Sequence, residues 1–307
     1  MDAKTFWFLS LKMSSTPYRG RLAPSPTGLL HLGHARTFWI AQERALAGGG
    51  TLVLRNEDLD QVRSKNDFVA AIFEDLRWFG FRWQEGPDCG GDFGPYNQSE
   101  RRAFYVAAFK KLCAGGFVYP CACSRQDVLR ALQAPHLGEE EPVYPGTCRT
   151  KMSDDWKRVS EEAVTPGNLV RATQRSPGKI NWRFRVPDGE TISFMDGFFG
   201  PQQFVAGKDF GDFVLWRHDD APSYQLAVVA DDAAMQITEV VRGADLLVST
   251  ARQILLYRAL GLTTPTFFHC PLMVDDSGVR LAKRHDALSL RSLREQGASP
   301  ESLRKKW

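Results

Sequence analysis

Nothing in the 307 residues approaches the roughly 18 uninterrupted apolar positions that a membrane span needs. Strong net charge is missing too. The 39 basic and 36 acidic side chains leave a formal +3, so any polyanionic partner has to be gripped by a local patch rather than by bulk attraction. An export signal is also lacking: residues 1–17 hold an apolar stretch (Phe6, Trp7, Phe8, Leu9, Leu11) that is short, has little basic lead-in and no small-residue cleavage site. This segment reads as an N-terminal extension. Cysteine is sparse, and in a chain without an export signal the six present (Cys89, Cys113, Cys121, Cys123, Cys148, Cys270) read as thiols or metal ligands rather than a disulfide framework. Repeats and low-complexity tracts are absent. These absences lead to the expectation of a soluble, cytoplasmic chain. A hydrophobic content of 43% with 24% charged residues is enough for one large or two modest domains.

The apolar patterning from Tyr18 predicts a strand (18–23), a turn (24–28), a helix from about Gly33 to Ala47, a short strand at Thr51 to Leu54 and an amphipathic helix over Asp67 to Phe79. Strand, helix, strand, helix is the order of a parallel α/β sheet with right-handed crossovers. From about Val118 that rhythm is lost. The middle holds clustered cysteines, a Pro/Glu-rich stretch and alternating runs such as Ile180 to Val186, which together suggest an inserted subdomain. Apolar runs resume at Phe213 to Trp216, Tyr224 to Val229 and Ile237 to Val241, where the second half of the sheet is expected, and Ser249 to Leu260 reads as a helix. The expected organisation is an extension (1–17), a first half of the catalytic domain (18–117), an insert (118–192), a second half (193–262) and a short basic C-terminal region (263–307).

Chemistry concentrates in three places. His31-Leu32-Gly33-His34 follows a strand and a Pro/Gly turn and opens a helix. Free backbone N–H groups and the positive end of the helix dipole attract phosphate there, the glycine allows close approach, and imidazoles can donate to phosphate oxygens. Upstream lies Arg21-Leu22-Ala23-Pro24-Ser25-Pro26-Thr27-Gly28, and Arg55-Asn56-Glu57-Asp58-Leu59-Asp60 ends the next strand. Cys121-Ala122-Cys123 with Tyr144 and Cys148 forms a second cluster. Three thiols at short spacing suit zinc, which prefers sulfur in closed tetrahedral sites. Free thiols beside a packed aromatic remain the alternative. Third, Arg280-Leu281-Ala282-Lys283-Arg284 is a basic segment near the end of the sequence.

The run from Arg21 to Gly33, the acidic turn from Arg55 to Asp60, and Val241-Arg242-Gly243-Ala244-Asp245 closely resemble the glutamyl-tRNA synthetase family of class I aminoacyl-tRNA synthetases, in the family's order and over about Tyr18 to Leu290. The resemblance implies a Rossmann-type, doubly wound parallel sheet with an inserted zinc-containing subdomain, a short helical C-terminal part and no anticodon-binding domain. It implies ATP with Mg²⁺ as the energy source. His31, Gly33, His34 and Lys283 would bind ATP, with His31, His34 and Lys283 catalytic. The stretch Arg21, Leu22, Ala23, Pro24 and Ser25 would form the glutamate pocket with Glu57, Tyr224 and Arg242. Arg21 and Arg242 would hold carboxylates, Glu57 and Ser25 the ammonium, and Tyr224 would add a hydroxyl. The chemistry is consistent, because glutamate's two carboxylates call for guanidinium forks and its ammonium for a carboxylate. The basic segment matches the family's mobile Lys-Met-Ser-Lys-Ser loop in degenerate form, with Arg280 in place of lysine, Ala282 in place of serine, and Lys283 retained. The cysteine cluster resembles a Cys-X-Cys, Tyr-X-X-X-Cys zinc set, which makes Tyr144 the fourth ligand to a Zn²⁺ ion held with Cys121, Cys123 and Cys148.

Two departures resemble a truncated branch of the family. The sequence ends at Trp307, soon after the basic segment, and Val228 stands where full-length enzymes usually carry asparagine. That branch places L-glutamate on the queuosine base of tRNA(Asp) and activates it without tRNA present. The expectation is therefore a monomeric ATP-dependent ligase with ATP, L-glutamate and queuosine-containing tRNA(Asp) as partners. Two readings compete with it. One is a class I adenylate-forming enzyme with another acceptor. The other, motivated by Arg280 and Ala282, is a non-catalytic RNA-binding paralogue.

Overall fold

The computed structural model describes residues 17–124, 143–149, 180–273, 289–305 and 307. The expected extension, apart from Pro17, and the expected loop at 280–284 lie outside them. The chain opens with β1 (Arg19–Leu22), α1 (Leu32–Ala47), β2 (Thr51–Leu54) and α2 (Asn66–Phe79). Strands β1 and β2 pair in parallel, Arg19 opposite Thr51 through Leu22 opposite Leu54. A glycine is required where the chain turns into β2. A Cβ on Gly50 would sit 2.3 Å from the Tyr18 carbonyl oxygen, the group to which Thr51 N–H donates to start the pairing. The helix α2 buries Ala71, Ile72, Leu76 and Phe79 on one face and stops at Gly80, whose φ of 98° suits the left-handed cap.

After α3 (Arg102–Ala114), three strands form a separate antiparallel sheet: β3 (Val118–Cys121), β4 (Asn181–Phe184) and β7 (Phe213–Trp216), in the order β3, β4, β7. This sheet draws strands from both sides of residue 193. Between them come β5 (Thr191–Asp196) and β6 (Gly200–Val205), an antiparallel hairpin at the edge of the main sheet.

The second half of the main sheet comprises β8 (Glu239–Gly243) and β9 (Thr266–Cys270), in the order β6, β5, β9, β8, with β8, β9 and β5 parallel. Thr238 N–H donates to the Arg19 carbonyl and Arg21 donates from Nη1 to the Val241 carbonyl at 2.8 Å, so β8 runs alongside β1 in the same direction. The molecule is a mixed α/β fold whose parallel strands lie in the order β2, β1, β8, β9, β5, with crossover helices α1, α4 (Tyr224–Ala234) and α5 (Leu247–Leu260). Two short helices follow, α6 (Leu290–Glu295) and α7 (Pro300–Arg304). No described helix is long and apolar enough to cross a membrane.

Three sequence expectations need correction. Phe213 to Trp216 forms β7 of the antiparallel sheet, paired with β4, rather than a strand of the main sheet. Tyr224 to Val229 is not part of a sheet but the first turns of α4, capped by Ser223, whose Oγ accepts from Leu226 N–H. Residues 226 to 232 are all buried, so the apolar run is continuous and carries no helical period. Conversely, β9 falls in the segment read as a basic C-terminal region, yet it sits in the middle of the main sheet between β8 and β5. The signal was the run Thr266 to Cys270 directly after a glycine-capped helix.

Asp75 on α2 is fully buried, and neither carboxylate oxygen has a hydrogen-bond partner. Arg294 of α6 approaches only to 3.8 Å. Burial pushes its carboxyl from the ordinary 3.8 up to about 6, against the pull of Arg294. A folded pKa above the unfolded one means stability that is present in full below the unfolded value and lost as pH rises through the folded value. Asp75→Asn is therefore expected to stabilise the protein at pH 8 by on the order of 1–3 kcal/mol and to change little near pH 4, read as the difference between thermal unfolding midpoints at the two pH values.

Candidate active site

The carboxyl ends of β1, β2, β8 and β9 face one cleft of about 340 Å³ at the place where the sheet order reverses, between β1 and β8. Open parallel sheets bind ligands at that position because the strand-to-helix loops diverge there. Ala23, Pro24 and Ser25 line it from the loop after β1, Glu57 from the loop after β2, Arg242 and Gly243 from the end of β8, and Pro271 to Met273 from the loop after β9. Arg21, His31, Gly33, His34 and Tyr224 complete the expected set in the same cleft. Leu22 is the exception, since its side chain is fully buried in the core and only its neighbours reach the cleft. Lys283 lies outside the described residues.

His31 is the N-cap of α1. Its Nδ1 accepts from Gly33 N–H at 3.1 Å, while His34 Nδ1 accepts from His31 N–H at 3.3 Å, a reciprocal box that leaves the two rings stacked 3.6 Å apart. Because both Nδ1 atoms accept, the neutral rings carry their protons on Nε2. The box takes up the His31 and Gly33 backbone N–H groups, so the helix start offers an anion the positive end of its dipole with the imidazole N–H groups beside it.

Beside it lies a buried cluster of guanidinium and carboxylate groups. Arg55, which is fully buried, donates from Nη1 to Asp232 at 2.6 Å and from Nη2 to Glu57 at 2.9 Å. Burial raises the Glu57 carboxyl above its ordinary range, opposed by Arg55. Arg21 has its Nε 3.6 Å from Asp232. Arg242 donates from Nε to His269 Nε2 at 3.2 Å and from Nη2 to Thr250 Oγ1 at 2.7 Å. Three buried donors in this cluster, Arg21 Nε, Arg55 Nε and Arg242 Nη1, find no hydrogen-bond partner in the protein, and the first and last belong to arginines that line the cleft. An unmet buried donor costs about 1–3 kcal/mol, more on a charged group, so acceptor oxygens entering the cleft would relieve a penalty already present. Tyr224, 38% exposed, stands at the cleft from the first turn of α4.

Sequence reasoning passed over Asp232, Thr250, His269 and Asp196, and treated Arg55 only as part of a turn. The pair Asp231-Asp232 inside an otherwise apolar run was the available signal, since charges in a buried helix require partners.

The cysteine cluster sits on the antiparallel sheet. The sulfur atoms of Cys121, Cys123 and Cys148 lie within 4.8 Å of one another, and the Tyr144 hydroxyl is 3.3 Å from Cys121 and 3.6 Å from Cys123. Three sulfurs and a phenol oxygen converging this closely fit the tetrahedral donor set of zinc, with sulfur ligands at about 2.3 Å.

Residues 18–306 match the model for the catalytic domain of class I tRNA synthetases (E and Q). The chain is 47% identical over 285 residues to Glutamyl-Q tRNA(Asp) synthetase of Symbiobacterium thermophilum, covering 92% of this chain and 83% of that one. It is 46% identical over 285 residues to the protein of the same name in Nitratidesulfovibrio vulgaris, covering 93% and 83%. Among solved structures, glutamate-tRNA synthetase from Elizabethkingia anophelis superposes with a TM-score of 0.72 at 29% identity, covering 92% of this chain and 54% of that chain. Matched over residues 18–306, the chain belongs to the catalytic-domain family of the class I tRNA synthetases (E and Q).

Proposed function

We propose that this chain is an ATP-dependent ligase that activates L-glutamate as an adenylate without tRNA and transfers it to the queuosine base of tRNA(Asp). One observation carries the reading: an amino-acid pocket with two under-bonded arginines and a buried carboxylate opens into the same cleft as the imidazole-capped helix start. Both relatives named above carry the corresponding name, and Val228, on α4 one turn beyond Tyr224, stands where the resemblance puts asparagine in full-length enzymes.

Arg21 and Arg242 grip carboxylates of glutamate through their unmet donors, Glu57 and Ser25 receive the ammonium, and Tyr224 adds its hydroxyl. A glutamate carboxylate oxygen then attacks the α-phosphorus of ATP and pyrophosphate leaves. Mg²⁺ arriving with ATP supplies phosphate neutralisation. His31 and His34 orient the phosphates through their ring N–H groups, Gly33 lets the phosphates approach the helix start, and Lys283 of the degenerate loop contributes a cation to the leaving group. Next, a hydroxyl of the queuosine cyclopentenediol attacks the activated carbonyl, forming the ester and releasing AMP. Positioning and electrostatics supply the catalysis, with no protein nucleophile. The doubly wound catalytic domain is interrupted by a zinc subdomain held by Cys121, Cys123, Tyr144 and Cys148, which lies on the acceptor side. The enzyme works as a monomer in the cytoplasm, where ATP and tRNA are available.

Four outcomes follow. Labelled pyrophosphate should exchange into ATP when glutamate is present and RNA is not; absence of exchange with any amino acid would end the catalytic reading. Arg242→Ala should lower kcat/KM for glutamate by about 10- to 200-fold, the equivalent of 1.5–3 kcal/mol for a charged hydrogen bond. Labelled glutamate should pass only to tRNA that contains queuosine, and equal transfer to unmodified tRNA would move the acceptor elsewhere. Elemental analysis of the purified protein should also give close to one zinc per chain, falling sharply in Cys148→Ser.

A further inference from the structure

Arg55 and Arg242 are both buried arginines beside the cleft, but they are held in different ways. Arg55 bonds two carboxylates, Asp232 and Glu57, and its charge is cancelled inside the protein. The two side-chain acceptors of Arg242 are both neutral: an imidazole nitrogen on β9 and a threonine hydroxyl on α5. His269 stands directly opposite Arg242 in the β8–β9 register.

The neutrality of that imidazole is built in. His269 Nδ1 lies 2.6 Å from Asp196 Oδ2, and the backbone N–H of His269 donates to the same oxygen at 3.1 Å. The other oxygen of Asp196 accepts from Phe198 N–H at 3.0 Å and Phe199 N–H at 2.9 Å. A carboxylate offers only acceptors, so the imidazole proton sits on Nδ1 and Nε2 presents a lone pair to Arg242 Nε–H. Burial keeps the ring below its ordinary pKa despite Asp196, while at Asp196 burial is outweighed by these hydrogen bonds and the carboxyl is held low. Thr250 Oγ1 lies 3.1 Å from the Leu246 carbonyl and 3.0 Å from His269 Nε2, two acceptors that share its one hydroxyl hydrogen, and in either case its oxygen accepts from Arg242 Nη2. The two anchors together take Nε and Nη2 and leave Nη1 without a protein partner in the cleft wall.

We infer that His269, oriented by Asp196, is a positioning residue that aims the Arg242 guanidinium into the cleft through a neutral acceptor and leaves its full charge for a substrate carboxylate. A carboxylate in the place of His269 would anchor the arginine equally well but would cancel the charge and compete with the ligand. This inference rests on the glutamate reading of the cleft. It adds that selection of an anionic over a neutral amino acid depends on the Asp196–His269 pair, neither of which lines the pocket.

The test is pyrophosphate exchange with glutamate and ATP varied separately. His269→Phe, which keeps a planar ring without an acceptor, should raise the KM for glutamate about tenfold or more and leave the KM for ATP within about twofold, as expected for loss of a charge-assisted hydrogen bond. His269→Gln, which restores a neutral acceptor, should recover to within about threefold of the parent, whereas a general packing defect would not be rescued. In an Arg242→Lys background, which has no Nε–H to donate to His269, adding His269→Phe should cost less than about twofold further. Additive effects in that background, or an unchanged glutamate KM in folded His269→Phe, would overturn the inference. Should His269→Phe fail to fold, Thr250→Val carries the same prediction for the second anchor: a higher KM for glutamate, an unchanged KM for ATP, and refutation if neither moves. Loss of exchange in the parent protein, or indifference to Arg242→Ala, would instead sink the glutamate reading itself.

Discussion

The buried bond between Arg55 and Asp232 is the constraint on which the rest of the site depends. It joins the end of β2 to α4, two elements separated by the whole antiparallel sheet in sequence. Around it the charges are paired in series. Asp231 takes Arg101 at 2.6 Å, Gln98 at 2.8 Å and Tyr105 at 3.0 Å, while Asp232 takes Arg55 and faces Arg21. Removing one partner from a buried pair strands a charge at about 3–5 kcal/mol, a large share of a typical domain's stability. That penalty ties α4, with Tyr224 at its first turn, to the β1–β2 half of the pocket. The pocket is therefore rigid before any ligand arrives.

The antiparallel sheet is joined to the same framework. The Asp212 carboxylate accepts from Tyr119, Arg149 and Val186 N–H, and its carbonyl accepts from Arg183 Nη1, so β3, β4 and the segment carrying Cys148 converge on the residue just before β7. Strand β7 then leads within a few residues into α4. The thiol cluster and the amino-acid pocket are thus two ends of one continuous, well-bonded path. A metal bound at the first would stiffen the strand that feeds the second.

Much of this was legible in the residues. His31 and His34 could be placed at a helix start because the Pro/Gly turn and the following apolar period mark it. Arg21, Glu57 and Arg242 could be grouped because the three motifs that carry them resemble one family's in the same order, not because any strand order could be read. Tyr224 was placed in the pocket while its helix was mistaken for sheet, because a helix buried on all sides loses the period that identifies it. His269 and Asp196 were invisible for another reason: they lie 73 residues apart, and their relation to Arg242 exists only once β5, β9 and β8 are adjacent. A pairing that arises from strand order leaves no local pattern to read.

The strand order also governs when the pocket can exist during synthesis. The strand β9 comes last along the chain but lies between β8 and β5, so both must wait with an edge unfilled until residue 270 has left the ribosome. Until then Arg242 lacks its imidazole neighbour and the loop from 271 to 273 is missing from the wall. A nascent chain consequently passes through most of its translation without an amino-acid pocket, and gains one in a single late closure rather than by degrees.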